Sequence, residues 1–337
     1  MDRNRRALLA AGLALTAGAA VTTDDSRADP PPTPVDGGLD APIWPPPERL
    51  SLWPGAPPGS PEILPAPSLT MNGPRGERLL HVSGIAHPEI NVFRAPRPDG
   101  SALLVFPGGA YRFVSVQNEG LDVARRYTPF GTSVFVLTYR LPGEGWRRRD
   151  RVPLQDAQRA MRLLRRNAAS FALDTGRIGV LGFSAGGHLA ADLITAFDER
   201  CTKPVDEADS LSARPDFAGL AYAVTSLQSR ISHGESREQL LGAGATPALI
   251  ARRSPAEHVR SDTPPCFIMH AMDDDAVPVE ASLEMIAACR RARVPVEGHL
   301  FEAGRHGFGL HPAPNLPAAH WPDLFAAWMD QRRDLLT

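Results

Sequence analysis

Short apolar runs alternate with amphipathic stretches along the chain from about residue 75 to its end. The amphipathic stretches carry apolar residues three and four positions apart, which is typical of helices with one buried face. Regular alternation of strands and helices predicts an α/β domain, with a mostly parallel central sheet and helices on both faces. The predicted strands are residues 91–94, 102–106, 133–139, 178–181, 217–223, 266–270 and 296–302, and the predicted helices are residues 119–127, 156–172, 185–197, 279–292 and 320–333.

Two connections in this pattern, residues 198–215 and 226–259, are longer and more polar than joints between strands and helices need. We expect both of them to lie over the functional edge of the sheet, where the loops that follow parallel strands gather. The chain contains no internal repeat.

The first 70 residues depart from the alternating pattern. Arg5 and Arg6 precede an apolar run that ends at Val21, and small residues at 17–19 offer a cleavage site. Paired arginines before a mildly hydrophobic run are typical of a twin-arginine export signal, and the run is shorter than the roughly 20 residues of a membrane span. We expect residues 1–28 to be a signal peptide, the protein to be periplasmic or secreted, and the mature protein to have no stable membrane span.

Prolines crowd residues 29–70, where they remove backbone donors and prevent a regular helix or a central strand. The segment is interpreted as either a linker or an arm that wraps the domain. Trp44 and Trp53 favour docking of its later part, because disordered tails seldom carry tryptophans. The α/β domain then occupies residues 71–337.

Charge and cysteine content exclude several classes of function. The 337 residues include 36 basic and 38 acidic side chains, a formal net charge of −2, so we expect no nucleic-acid partner. The three cysteines have no metal-ligand spacing, and the three acids at 273–275 have no EF-hand spacing. We therefore predict no metal site and no cofactor, and we leave the oligomeric state open.

A serine between a strand and a helix is the first candidate for chemistry. Ser184 is the centre of Gly-Phe-Ser-Ala-Gly at 182–186, which joins the predicted strand 178–181 to the predicted helix 185–197. A G-x-S-x-G segment in this setting is typical of a nucleophile elbow, a strained turn that exposes the hydroxyl. We predict that Ser184 is a nucleophile, with a structural glycine-rich turn as the alternative.

A serine hydroxyl needs a base, and with this elbow an acid and then a histidine follow the serine along the chain. Three carboxylates at 273–275 follow the next-to-last predicted strand. Asp274 stands three residues before Val-Pro at 277–278 and is the preferred acid, with Asp275 as its competitor. His306 follows the last predicted strand between nearby glycines and is the predicted base.

A tetrahedral oxyanion needs backbone donors, each of which is worth roughly 10²–10³ in rate. Phe-Pro-Gly-Gly-Ala-Tyr at 106–111 follows a predicted strand, as the H-G-G-G segment of lipases and esterases does. We assign the donors to the N–H of Ala185 and to the N–H of Gly109 or of Ala110.

These segments, with His-Ala-Met-Asp-Asp-Asp-Ala-Val-Pro at 270–278 and Gly-Arg-His-Gly-Phe at 304–308, resemble the carbohydrate-esterase branch of the α/β-hydrolases, which includes acetyl xylan and feruloyl esterases. Asn-Glu-Gly at 118–120 is similar to the same group. The resemblance implies an α/β-hydrolase fold and a serine carboxylic-ester hydrolase, which the predicted export signal would make a secreted enzyme. Such an enzyme would deacetylate plant polysaccharide or oligosaccharide through a Ser-His-Asp triad and an acyl-enzyme. Ala110, in place of a third glycine, leaves the acyl and sugar preference open.

Two other functions stay open at this point. A serine peptidase or lipase of the same fold would use the same triad, and a non-catalytic carbohydrate-binding envelope protein would keep the fold without the chemistry. Substrate contacts are expected from Tyr111, His233, Met272 and Phe308, with simple packing as the alternative for each.

Overall fold

Ten strands and seven α-helices form within residues 42–73, 78–228 and 230–336, which are the residues that the computed structural model describes. The strands are β1 (Arg49–Ser51), β2 (Ser68–Asn72), β3 (Leu79–Ser83), β4 (Glu89–Phe93), β5 (Ala102–Phe106), β6 (Ser133–Thr138), β7 (Ile178–Phe183), β8 (Ala218–Ala221), β9 (Cys266–Ala271) and β10 (Val296–Phe301). The helices are α1 (Asp122–Tyr127), α2 (Val152–Arg166), α3 (Ser184–Ala196), α4 (Gly234–Leu241), α5 (Pro247–Arg252), α6 (Glu280–Ala292) and α7 (Trp321–Leu336). A π-helical turn, Gln117–Leu121, precedes α1.

Eight of these strands form the central sheet in the order β1-β4-β6-β5-β7-β8-β9-β10, and β2 pairs with β3 separately. The six strands from β6 to β10 in this order are parallel to their neighbours, whereas β4 pairs antiparallel with β1 and β6. The predicted α/β class with a mostly parallel sheet is confirmed.

Alternate residues of the strands face two separate cores. In β5, Ala102, Leu104 and Phe106 lie in the core that α2, α3 and α6 share. Leu103 and Val105 lie in the core that α1 and α7 share. Successive side chains of a strand point to opposite faces, so a strand buried on both faces has a continuous apolar run. Helices therefore cover both faces of the sheet, as predicted.

The seven predicted strands correspond to β4 through β10, and the five predicted helices to α1, α2, α3, α6 and α7. The apolar pattern missed β1, β2, β3, α4 and α5. β1 has only three residues in an exposed, half-buried, exposed order, so it carries no apolar run. α4 and α5 have eight and six residues, too few for a clear helical period.

The later part of the predicted proline-rich segment lies against the domain. β1 forms an edge of the central sheet, and Leu52 and Trp53 are buried. Trp53 donates its Nε1–H to Oδ1 of Asp156 at 2.9 Å, and the same carboxylate is paired with the buried Arg140. These contacts favour the wrapping arm for residues 42–70. Residues 29–41 and the signal peptide expected at 1–28 lie outside the described residues, so that signal stays a prediction.

The prediction that residues 198–215 lie over the functional edge is wrong. This connection lies beside α2, where Gln155 donates to the Cys201 carbonyl at 3.1 Å and Arg159 binds Asp206. It leads from the end of α3 to the start of β8, so it belongs to the opposite edge of the sheet. Residues 226–259 instead follow β8, and they contain α4 and α5.

Candidate active site

Ser184 begins α3 directly after β7, in a turn with little free space. Its φ is +51°, a left-handed conformation that a residue with a side chain adopts only under constraint. A Cβ on Gly186 would lie 2.0 Å from the Phe106 carbonyl oxygen, and one on Gly182 would lie 2.3 Å from the Gly186 carbonyl oxygen. The glycines of the segment therefore let the strand, the helix and the end of β5 approach closely, as a nucleophile elbow requires.

His306 stands between Ser184 and Asp274. Its Nε2 lies 2.9 Å from the Ser184 Oγ, and its Nδ1 lies 2.7 Å from Oδ2 of Asp274. The Asp274 side chain is fully buried, whereas Asp275 is exposed. Of the two acids that the sequence left open, the structure brings Asp274 to the histidine.

Asp274 accepts four hydrogen bonds. Its Oδ1 accepts the N–H of Ala276 at 2.9 Å and of Val277 at 2.8 Å, and its Oδ2 faces His306 and the Nε2 of His270 at 3.0 Å. Burial alone would raise the pKa of Asp274. The hydrogen bonds from His270 and His306, the charge of His306 and the Val277 N–H outweigh burial and hold that pKa well below its usual range.

His270 is a contact of the acid that sequence reasoning did not single out. The ring is completely buried at the end of β9, and its Nδ1 lies 2.7 Å from the Ser282 hydroxyl. With the hydroxyl donating to Nδ1, Nε2 carries the hydrogen that Asp274 accepts, an assignment that follows from the partners. The signal was present, because His270 opens the segment that contains the three acids.

Asp273 joins the acid loop to the histidine loop. Its Oδ1 accepts the N–H of Gly304 and of Arg305, both at 2.8 Å. The three neighbouring acids thus have different surroundings: Asp273 braces the loop before His306, Asp274 contacts the imidazole, and Asp275 faces solvent.

The loop after β5 has three consecutive residues with positive φ: Gly109 (+126°), Ala110 (+52°) and Tyr111 (+63°). A Cβ on Gly109 would lie 2.2 Å from the Phe113 carbonyl oxygen, so only glycine fits there. Among the described residues, no hydrogen bond uses the N–H of Gly109 or of Ala110. Together with Ala185 at the start of α3, these groups are the donors that the sequence proposed for an oxyanion.

The Tyr111 side chain does not line the site, and that part of the sequence prediction is wrong. Tyr111 is only 1% exposed, and its hydroxyl lies 2.8 Å from Nδ1 of His188 in α3. The Nε2 of His188 lies 2.8 Å from the Arg253 carbonyl oxygen, and burial lowers the pKa of His188. A neutral His188 can therefore donate to Arg253 and accept from Tyr111, which ties the loop to α3.

Glu119 and Tyr222 form a second buried contact that the sequence did not assign. The Glu119 carboxylate accepts the Gly108 N–H at 2.6 Å and the Tyr222 hydroxyl at 2.8 Å. The Tyr222 hydroxyl in turn accepts the N–H of Gly309, three residues beyond His306, at 2.9 Å. Burial raises the pKa of Glu119, and its two hydrogen bonds oppose that rise only in part.

The remaining predicted pocket residues have unlike surroundings. Met272 is 53% exposed and directly follows β9. The Phe308 ring lies 5.0 Å from the Tyr222 ring, which is itself 5.0 Å from the His306 ring. His233 is the N-cap of α4, where its Nδ1 contacts Ser236. Substrate contact stays a prediction for these three residues.

Two further features of the described residues concern metals and membranes. Within residues 42–73, 78–228 and 230–336, no three His, Cys, Asp or Glu side chains converge as a metal site would require. In the same ranges, no helix is both long and apolar enough to span a bilayer.

The chain is similar to one described protein family and to several individual proteins. The model of the BD-FAE family matches residues 102–288. An acetylxylan esterase of Xylanibacter ruminicola is 31% identical over 248 residues, which cover 72% of this chain and 48% of that protein. An endo-1,4-beta-xylanase B of Butyrivibrio fibrisolvens is 35% identical over 205 residues, 61% of this chain and 32% of that protein. The chain thus spans about half or less of the length of these two relatives.

A solved structure gives the same picture. The acetyl ester-xyloside bifunctional hydrolase of Caldicellulosiruptor lactoaceticus is 38% identical, with a TM-score of 0.66 over 72% of this chain and 88% of that one. Its matched part therefore corresponds to most of a whole chain, and the two chains share the fold.

Proposed function

Since this chain belongs to the BD-FAE family, among the acetyl xylan esterase-like α/β-hydrolases, we propose that it is a serine esterase that removes acetyl groups from a carbohydrate. The observation that supports this proposal most is the continuous path from the Ser184 Oγ through His306 to the buried Asp274, with contacts of 2.9 and 2.7 Å. Contacts of this length suit proton transfer between a nucleophile, its base and the acid that orients the base.

The proposed reaction has two half-reactions. His306 Nε2 takes the Ser184 proton while Oγ attacks the ester carbonyl, and the carbonyl oxygen becomes an oxyanion that accepts the N–H of Ala185 and of Gly109 or Ala110. When this intermediate collapses, the bond to the alcohol oxygen breaks, and the imidazolium gives its proton to that oxygen, which leaves as a sugar hydroxyl. Water, deprotonated by His306, then attacks the acyl-enzyme, which releases the acid and restores Ser184.

Asp274 has a distinct part in these steps. Its lowered pKa keeps it ionised at any pH at which the enzyme would work. An ionised Asp274 holds Nδ1–H of His306, so that Nε2 is left free to accept the Ser184 proton, and it stabilises the imidazolium once formed.

The names of the relatives support the substrate class. One relative is named an acetylxylan esterase and another a xylanase, and the protein of the solved structure is named an acetyl ester-xyloside bifunctional hydrolase. We extend from these names to an acetylated xylan or oligosaccharide as substrate. Action outside the cytoplasm, which the N-terminal sequence predicts, agrees with a polymeric substrate.

Ser184→Ala tests the proposal. We expect loss of hydrolysis of p-nitrophenyl acetate by at least about 10³-fold and loss of labelling by a fluorophosphonate. Ser101→Ala, at the opposite edge of the sheet, is the control and should retain both. Acetate release from acetylated xylan, compared with acetylated pectin and feruloylated arabinoxylan, tests the substrate. Full activity of Ser184→Ala would refute the mechanism, and a wild-type protein active only on the small ester would refute the carbohydrate assignment.

A further inference from the structure

Glu119 is a buried carboxylate whose partners lie in two different loops of the site. It is 3% exposed, in the π-helical turn Gln117–Leu121, and it receives the Gly108 N–H at 2.6 Å. A Cβ on Gly108 would lie 2.9 Å from Oε2 of Glu119 and 3.0 Å from the Ser184 Cβ. Gly108 of the oxyanion loop therefore lies against both the Glu119 carboxylate and the Ser184 side chain.

The second oxygen of Glu119 reaches the histidine loop through Tyr222. Tyr222 follows β8 with a φ of +37°, is completely buried, and donates its hydroxyl hydrogen to Glu119. The same hydroxyl oxygen accepts the Gly309 N–H, while the ring faces His306 at 5.0 Å between centroids. The Glu119 carboxylate thereby connects Gly108, at the start of the oxyanion loop, with the loop that carries His306.

Neighbouring contacts strengthen the connection. Asn118 donates its Nδ2–H to the Gly307 carbonyl at 3.3 Å, and a Cβ on Gly309 would lie 2.8 Å from the Asn118 carbonyl oxygen. Residues 118 and 119 thus contact the chain just after His306, directly or through Tyr222, as well as the start of the oxyanion loop.

Burying an acid at this point is costly unless its donors compensate. Transferring a carboxyl group from water into a packed interior is unfavourable, and two hydrogen bonds recover only part of the loss. A carboxylate has acceptors on both oxygens, so it can receive a backbone N–H and a hydroxyl at once, which no apolar side chain of that size can do.

We propose that Glu119 is a positioning residue for the esterase reaction, which holds the oxyanion donors and His306 in register with Ser184 by accepting the Gly108 N–H and the Tyr222 hydroxyl together. The inference rests on the proposed function. It assigns to Glu119 a role in stabilising the transition state, acting through the two loops rather than by touching substrate.

Glu119→Ala removes both acceptors and is the principal test. We expect kcat for p-nitrophenyl acetate to fall by about 10²-fold, the loss typical of one misplaced oxyanion donor, while KM changes less than about threefold. Rates are expressed per active site titrated with a fluorophosphonate, so that unfolded protein does not contribute. Glu119→Gln retains one acceptor and should recover much of kcat, and Tyr222→Phe should lose about tenfold or less.

A second readout reports on the oxyanion directly. A trifluoromethyl ketone forms a hemiketal with the serine whose oxygen occupies the oxyanion site, so its affinity should fall with kcat across the same variants. Glu144→Ala is the matched control, because Glu144 also accepts two backbone N–H groups, those of Gly84 and Ile85, and neither residue belongs to the oxyanion loop or to the histidine loop. It should lower stability and leave kcat per titrated site unchanged.

The outcomes distinguish a failure of the positioning role from a failure of the proposed esterase function. If Glu119→Ala has the wild-type kcat per titrated site, the positioning role is wrong while the esterase proposal stands. The same holds if the substitution changes only KM or only the stability of the protein. Equal losses from Glu119→Ala and Glu144→Ala would also contradict it. If the wild-type protein neither hydrolyses the ester nor reacts with the fluorophosphonate, the proposed function fails and this inference with it.

Discussion

The acid side of the site and its oxyanion side each contain a buried carboxylate, and the two have opposite pKa shifts. Asp274 receives four hydrogen bonds, which outweigh its burial and lower its pKa. Glu119 receives two, and its burial prevails and raises its pKa. The number and charge of the donors, rather than burial alone, thus decide in which direction the pKa of an enclosed acid moves.

The two sides also differ in how the chain builds them. Three of the donors to Asp274 lie within four residues of it, and only His306 comes from farther away. Tyr222 lies 103 residues from Glu119. The acid side is therefore formed mainly by one local turn after β9, whereas the oxyanion side depends on the packing of separate elements.

Asp274→Asn should have the largest effect of the changes that probe this difference. An amide cannot hold Nδ1–H of His306 as a carboxylate does, so the wrong tautomer faces Ser184 and we expect kcat to fall by about 10⁴-fold. Esterase kinetics with p-nitrophenyl acetate provide the measurement. Asp275→Asn is the matched control, since its side chain is exposed in the same loop and should retain activity within about twofold. A comparable loss from both variants would show that the loop, and not the carboxylate of Asp274, is what matters.

Gly108→Ala should have an intermediate effect, confined to the oxyanion side. The new Cβ would lie 2.9 Å from both Oε2 of Glu119 and the Phe183 carbonyl oxygen, so the loop must shift. We expect kcat to fall by about 10²-fold with less change in KM, as for loss of one oxyanion donor. In Gly234→Ala, the control, a Cβ meets nothing within 4 Å and kcat should stay at the wild-type value. Unchanged kcat in Gly108→Ala would mean that the loop tolerates the shift and that its contact with Glu119 is dispensable.

The same division explains what the sequence could predict. Ser184, Asp274 and His306 each lie in a short segment whose residue order carries the information, and the structure brings these three side chains together. Glu119 gave no such signal, because its partners are set by the packing of β8 and of the loop after β5. The resemblance did include Asn-Glu-Gly at 118–120, but without a role for the acid.

The other errors have a similar origin. Tyr111 ends the oxyanion segment and was expected to contact substrate, but the loop has three consecutive positive φ values and the ring is buried. β1 is held by its backbone pairing with β4 and by the contact of Trp53 with Asp156. Local apolar periodicity cannot predict either contact, since the partners are more than 35 residues apart in the chain.

The smallest expected effect is on the pH dependence of stability, where the two carboxylates should act in opposite directions. A group whose pKa is lowered on folding stabilises the protein above its unfolded pKa, near 3.9 for Asp, and that contribution is lost as the pH falls. A group whose pKa is raised on folding stabilises the protein below its unfolded pKa, near 4.3 for Glu, and that contribution is lost as the pH rises. Asp274 belongs to the first case and Glu119 to the second.

Urea unfolding of the wild type, Asp274→Asn and Glu119→Gln between pH 3.5 and 7 therefore tests the sign of each shift. The free energy of unfolding of the wild type minus that of Asp274→Asn should increase as the pH rises from 3.5 to about 5 and then level off. The corresponding difference for Glu119→Gln should decrease as the pH rises above about 4. The whole contribution of each group is about 1.4 kcal/mol per unit of pKa shift, and for Asp274 only its last part, above pH 3.5, lies in the measured range. If both differences in the free energy of unfolding change in the same direction with pH, then folding stabilises the ionised form of Glu119 as it does that of Asp274. The two carboxylates would then have pKa shifts of the same sign.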